Sequence, residues 1–152
     1  MSTDSVIYVT LIPDMPARED PRVLLTDCPL FRDLPPGALD RICSRYHIGV
    51  RHHQAGSVIQ LRGEVYDELL LIARGAVVAY IDDVSGKTLQ VETLPAPSVV
   101  ASAIFFASLN RLPVSISASE PTTLFAFSKP TVLAIAREHE SFLAALLTDM
   151  GD

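Results

Sequence analysis

From residue 47 to residue 128 the chain consists of short apolar runs cut by Gly, Pro or Asp at fairly regular intervals, the texture of successive strands. The candidate strands are IGVRHH, SVIQL, ELLLIA, AVVAYI, TLQVETL, PVSISASE and TTLFAFS. Alternation is cleanest in PVSISASE, where Val114, Ile116 and Ala118 form an apolar face and Ser115, Ser117 and Ser119 a hydroxylic one. Between AVVAYI and TLQVETL lies DDVSGKT, whose Asp82, Asp83 and Gly86 predict a hairpin connection. Strands that follow one another without helical segments between them predict a sandwich or barrel and argue against βαβ units.

The flanks read differently. Residues 1–29 hold one apolar stretch, VIYVTLI, followed by Pro13, Pro16, Pro21 and Pro29, and are expected to be an arm leading into a domain that spans residues 30–152. In LFRDLPPGALDRICSRY, Leu34, Leu39 and Ile42 fall at helical spacing around a Pro-Pro-Gly start and predict a short amphipathic helix. After Ser128 the pattern turns helical. Lys129-Pro130 marks a start, Val132, Leu133, Ile135 and Ala136 form a stripe, and a second helix from Ser141 carries Phe142, Leu143, Leu146 and Leu147. So much apolar surface on so short a final helix leads us to expect a partner or a continuation.

Composition narrows the function classes. With 18 Asp+Glu against 12 Lys+Arg the net charge is -6, so these 152 residues lack the basic footprint of a nucleic-acid binder. The apolar residues never form a run of membrane-spanning length, and the N-terminus has neither a basic region nor a long apolar core. A cytoplasmic location without membrane contact is expected. Cys28 and Cys43, the only cysteines, have no metal-ligand spacing and read as free thiols.

The stretch QAGSVIQLRGEVYDELLLIARGAVVAYIDDVSGKTLQVETL resembles the cyclic nucleotide-binding-type roll of the Crp/Fnr (catabolite activator) superfamily. Gly56, Ile59, Gly63, Asp67, Leu70, Ile72, Gly75, Val77 and Gly86 stand where that pattern places turn and strand residues, and the resemblance runs from Leu30 to the end of the chain. It implies a mainly β fold with flanking α: a double-stranded β-helix, or jelly roll, with an N-terminal helix and C-terminal helices. It also implies the effector-sensing domain of a transcription regulator, taking a small-molecule effector, homodimeric at full length, and reaching DNA only through a helix-turn-helix C-terminal to residue 152.

In nucleotide-binding members a Gly-Glu pair opens a short helix that cradles the cyclic phosphate, and an Arg pairs its charge. Those positions are here Ala101, Ser102 and Leu112. Arg111 is one residue away, and in a regular strand a one-residue offset points a side chain to the opposite face. No cyclic AMP is therefore expected, since a buried phosphate without its cation costs several kcal/mol, on the order of other unpaired buried charges. What remains is an apolar lining of Val99, Val100, Ala103, Ile104, Phe105 and Phe106, followed by Asn110, Arg111, Leu112, Pro113 and Val114.

The Asn-Arg-Leu-Pro-Val turn is similar to that of a nitrosative-stress-responsive branch of the superfamily, which implies heme, and through it a diatomic gas, as the effector. The axial candidates are then His47, His52 and His53, although RHH at 51–53 also reads as a solvated strand end. An iron–sulfur cluster needs about four cysteines and is excluded. A cupin-type metal enzyme needs a His-x-His pair with later Glu and His ligands, which this sequence lacks, so catalysis is not expected. The alternatives left open are a cyclic nucleotide-binding domain with a divergent phosphate loop and a ligand-free interaction domain.

Overall fold

The computed structural model describes residues 20–152; VIYVTLI and the rest of the expected arm up to residue 19 lie outside it. Eight strands form two antiparallel four-stranded sheets, the jelly-roll-like arrangement expected. In one sheet the order is β1 (Gly49–His53), β8 (Thr122–Ser128), β3 (Glu68–Arg74) and β6 (Ser98–Val99). In the other it is β2 (Val58–Gln60), β7 (Ser115–Ala118), β4 (Ala76–Asp82) and β5 (Thr88–Pro95).

The punctuation residues act as expected. Asp83 takes the amides of Ser85 and Lys87 and the Ser85 hydroxyl on one carboxylate oxygen, closing the β4–β5 hairpin with Asp82 opposite Thr88. The Ser85 hydroxyl bond, then the amides, hold its carboxyl below the usual range. Gly75 joins β3 to β4 at φ +85°, and a Cβ there would meet the Pro121 carbonyl and come within 2.6 Å of Thr122 Oγ1. The turn thus fits only glycine, for both conformation and space.

β8 and β3 are buried on both faces, so neither alternates. Phe127 stacks on Phe31 at 5.7 Å, and Phe31 meets Phe142 at 5.2 Å, tying the sheet to both helical flanks. These flanks are α1 (Pro21–Leu24), α2 (Ala38–Arg45), α4 (Lys129–Glu138) and α5 (Glu140–Gly151), with a fifth helix, α3 (Ser102–Phe105), following β6. Ser128 caps α4 by accepting from the Thr131 amide, with Pro130 in the first turn. At the far end of α4, Glu138 takes Arg45 at 2.7 Å and the Tyr46 hydroxyl at 2.9 Å, fastening α2 to it.

Several expectations are corrected. Pro21 does not break the chain: capped by Asp20 it opens α1, and a 3₁₀ turn then delivers Leu25 and Cys28 into the core at 0% exposure. The last ten residues of the expected arm therefore belong to the packed domain. Ser115, placed on the hydroxylic face, is buried because its Oγ accepts from the Arg62 amide at 2.9 Å. The RHH segment is not a solvated strand end, since β8 pairs alongside it and His53 is 7% exposed. Leu133, Leu143 and Leu147 are exposed although each was read as part of an apolar stripe, because the core takes only Val132, Ile135, Ala136, Phe142 and Leu146 from those helices. Both cysteines are free, with burial pushing the thiol of Cys28 up to about 11 and that of Cys43 up to about 12.

Gly75→Ala is expected to lower stability by about 2 kcal/mol or more through steric clash and left-handed strain together. Gly86→Ala, with open space around the new Cβ, should cost only about 1–2 kcal/mol, the strain alone. Urea midpoints at unchanged m-value measure both.

Candidate functional site

The segment from Ser98 to Val114 leaves β6, turns through α3 and returns antiparallel to the 62–66 turn. Its return is fastened by backbone bonds from Gly63 N to Leu112 O at 2.8 Å, Leu112 N to Glu64 O at 3.1 Å and Tyr66 N to Asn110 O at 2.7 Å. This ladder fixes which side chains enter. Leu112 is 2% exposed, whereas Arg111 is exposed and donates to the Gly63 carbonyl at 2.9 Å. The parity expected from sequence holds: the cation points out and the leucine points in.

Of the other expected pocket residues, Val99, Val100, Ser102 and Phe105 are buried, and Ala101, Ile104, Phe106, Asn110 and Val114 are half-buried. Ala103 and Pro113 are corrected along with Arg111, because all three face solvent. In α3 a single turn can bury only one side, here that of Ser102 and Phe105. Ala101, standing where the nucleotide-binding pattern has glycine, adopts the left-handed conformation at φ 45°. The backbone keeps the turn that glycine would favour, with a Cβ strained into it.

Three residues that sequence reading missed organise this corner. Tyr66 is fully buried; its hydroxyl donates to the Val100 carbonyl at 2.5 Å and accepts from the Leu70 amide at 3.0 Å. Its ring meets the edge of Phe105 at 6.0 Å, and Phe105 meets Phe106 at 4.8 Å. Burial, and after it the nearby negative charge of Asp149, push the Tyr66 hydroxyl above its ordinary range. Lys129, the first residue of α4, holds its ammonium 5.3 Å from the Phe105 ring and 5.7 Å from that of Phe106. Asp149, in the last turn of α5, accepts from Ser102 Oγ at 2.5 Å. No sequence signal marks these roles, since Tyr66 lies in an unremarkable polar turn, Lys129 reads only as a helix start, and Asp149 is one polar residue among the apolar positions of the last helix.

The histidines lie elsewhere. His52 and His53 are on β1, at the opposite edge of the sheet from β6, three strand spacings or about 14 Å away. His52 Nδ1 is within 3.2 Å of Thr123 Oγ1, and His47 is exposed ahead of β1. Residues 98–114, around α3, contain no histidine, cysteine or methionine. Among the described residues no three His, Cys, Asp or Glu converge on a metal-sized site, and no helix is long and apolar enough to cross a membrane.

At this corner the two-sheet roll thus carries Ala101 in a left-handed turn, Ser102 bonded to the Asp149 carboxylate, and a buried Leu112. The family profile of the cyclic nucleotide-binding domain matches residues 50–139, more than half of the chain, and the chain belongs to that family. Among solved structures, the sensor domain of the transcriptional regulator DNR from Pseudomonas aeruginosa is 21% identical, with 88% of each chain covered and a TM-score of 0.71. The catabolite activator protein of Thermus thermophilus is 23% identical at a TM-score of 0.64, over 81% of this chain and 55% of that one. A transcriptional regulator from Thermotoga maritima is 22% identical at 0.65, over 67% of this chain and 79% of that one. At these identities the likeness is one of fold. No curated protein sequence matches.

Tyr66→Phe removes both hydroxyl bonds and leaves the Leu70 amide and Val100 carbonyl buried without it, so a loss of about 1–3 kcal/mol is expected in urea denaturation. Ala101→Gly relieves the left-handed strain, and its urea midpoint should rise, corresponding to about 1 kcal/mol.

Proposed function

We propose that the chain is the effector-sensing domain of a Crp/Fnr-type transcription regulator and that its effector is not a cyclic nucleotide. The observation that carries the second half is the occupancy of the anchor positions. Leu112 is buried where a cation would be needed, and the Asp149 carboxylate sits on Ser102, where it would repel a phosphate. Support for the first half comes from family membership and from solved neighbours of the same fold that are themselves described as transcriptional regulators. On this reading the domain works in the cytoplasm without catalysing a reaction, and both DNA contact and dimerisation belong to the regulator as a whole.

The effector on this reading is small and uncharged or weakly charged, engaging the half-buried Ile104 and Phe106 beside the buried Val100, Phe105 and Leu112. A heme effector is disfavoured at this corner by the distance of His52 and His53 from it.

Calorimetry of the purified chain with cyclic AMP and cyclic GMP is expected to show no saturable heat, and micromolar binding of either would overturn the exclusion. An absorbance scan after heme addition should give no sharp Soret band. A band that disappears when His47, His52 or His53 is changed to Ala would restore the heme reading.

A further inference from the structure

The bond from Ser102 to Asp149 joins residues 47 positions apart and spans from the first residue of α3 to the last turn of α5. Ser102 is 3% exposed, so its hydroxyl has little water to turn to. The carboxylate comes from α5 and meets the residue that holds the place of the nucleotide-contacting Glu. Asp149 also lies close enough to the buried Tyr66 hydroxyl for its charge to be felt there. Lys129 covers the other end of α3 through the Phe105 and Phe106 rings, so α3 is gripped from α4 and α5 at once.

We propose that Asp149 is a built-in ligand of the α3 corner: its carboxylate, seated on Ser102, docks α5 against α3 without an external anion and determines that the corner rejects anionic effectors. This rests on the reading of the α3 corner as the effector corner of a sensor domain. It adds the residue that sets which effectors are excluded and the contact through which α5 reports on α3. Any movement of α5 away from α3 then requires that the carboxylate leave the hydroxyl, while Phe142 and Leu146 keep α5 packed on the core.

The test is amide hydrogen exchange on the full chain, comparing wild type with Ser102→Ala, Asp149→Ala, Asp149→Asn and the Ser102→Ala/Asp149→Ala double variant. A charge-assisted bond of this kind predicts exchange about tenfold faster over residues 101–106 and 145–152 in each Ala variant. The β3 and β8 amides should stay unchanged as the internal control for folding. Asp149→Asn, nearly isosteric, should loosen the same two segments less. The double variant should be no faster than the faster single one, because both substitutions remove the same contact. In Asp149→Ala, added sodium acetate should restore protection where sodium chloride at equal ionic strength does not.

Unchanged exchange in the Ala variants, additive effects in the double variant, or the absence of acetate rescue would each overturn the proposal. The last would reduce Asp149 to a packing residue. Leu147→Ala, on the exposed side of α5, should leave both segments as in wild type, and loosening there of the size seen in Asp149→Ala would also overturn it. Nucleotide calorimetry on the unmodified chain tests the effector reading separately, so failure of the contact and failure of that reading remain distinguishable.

Discussion

The cost of burying charge governs the corner between α3 and the 62–66 turn. A leucine-sized side chain placed there gains about 2 kcal/mol from leaving water, while an unpaired guanidinium in the same place would lose several. The ladder between residues 63–66 and 110–112 decides which of two neighbours takes the inner position, and it gives that position to Leu112 and leaves Arg111 to solvent. Every polar group that does enter has a partner within the chain. The Tyr66 hydroxyl has the Val100 carbonyl and Leu70 amide, and the Ser102 hydroxyl has Asp149.

Much of the roll could be read from sequence because its strands are bounded by residues with local demands. Asp83 and Gly86 encode the β4–β5 hairpin, Gly75 the turn into β4, and Ser128 with Pro130 the start of α4, each within a few residues of the feature it creates. β6 was missed because two residues carry no periodicity. It exists only through its pairing with Leu71 and Ile72 of β3, a tertiary contact. α1 was missed for the opposite reason. Pro21 carries a strong local signal, but that signal is ambiguous between breaking a helix and opening one, and the Asp20 cap decides it. The exposure of Leu133, Leu143 and Leu147 shows a further limit, since an apolar stripe on a helix can be wider than the surface available to cover it.

At the site, sequence located the segment but not its connections. The replacement of the phosphate anchors was legible because it depends on residue identity at fixed places in a pattern. The parity of Arg111 and Leu112 was legible because strand geometry has a period of two. What Tyr66, Lys129 and Asp149 do was not, because each acts across a long sequence separation on a partner whose own position is set by the fold. Ala101 shows how far the two kinds of information can diverge: the residue departs from the pattern, yet the backbone holds the conformation that the missing glycine would have adopted.

The retained conformation of Ala101 bears on how such a domain could signal. The turn that presents α3 persists at a cost of about 1–2 kcal/mol in strain, so the surrounding packing holds α3 in place. The Ser102–Asp149 bond and the Lys129 contacts are together worth on the order of 3 kcal/mol, taking charge-assisted hydrogen bonds and cation–π pairs at their usual size. Driving a two-state element from 1:99 to 99:1 takes about 5.5 kcal/mol. On the proposed sensor reading, these polar contacts between α3 and the helices α4 and α5 are of a size that one modest effector would offset. An apolar molecule that buries part of Phe106 or Leu112 differently in the two states would suffice, with no phosphate needed to carry the signal.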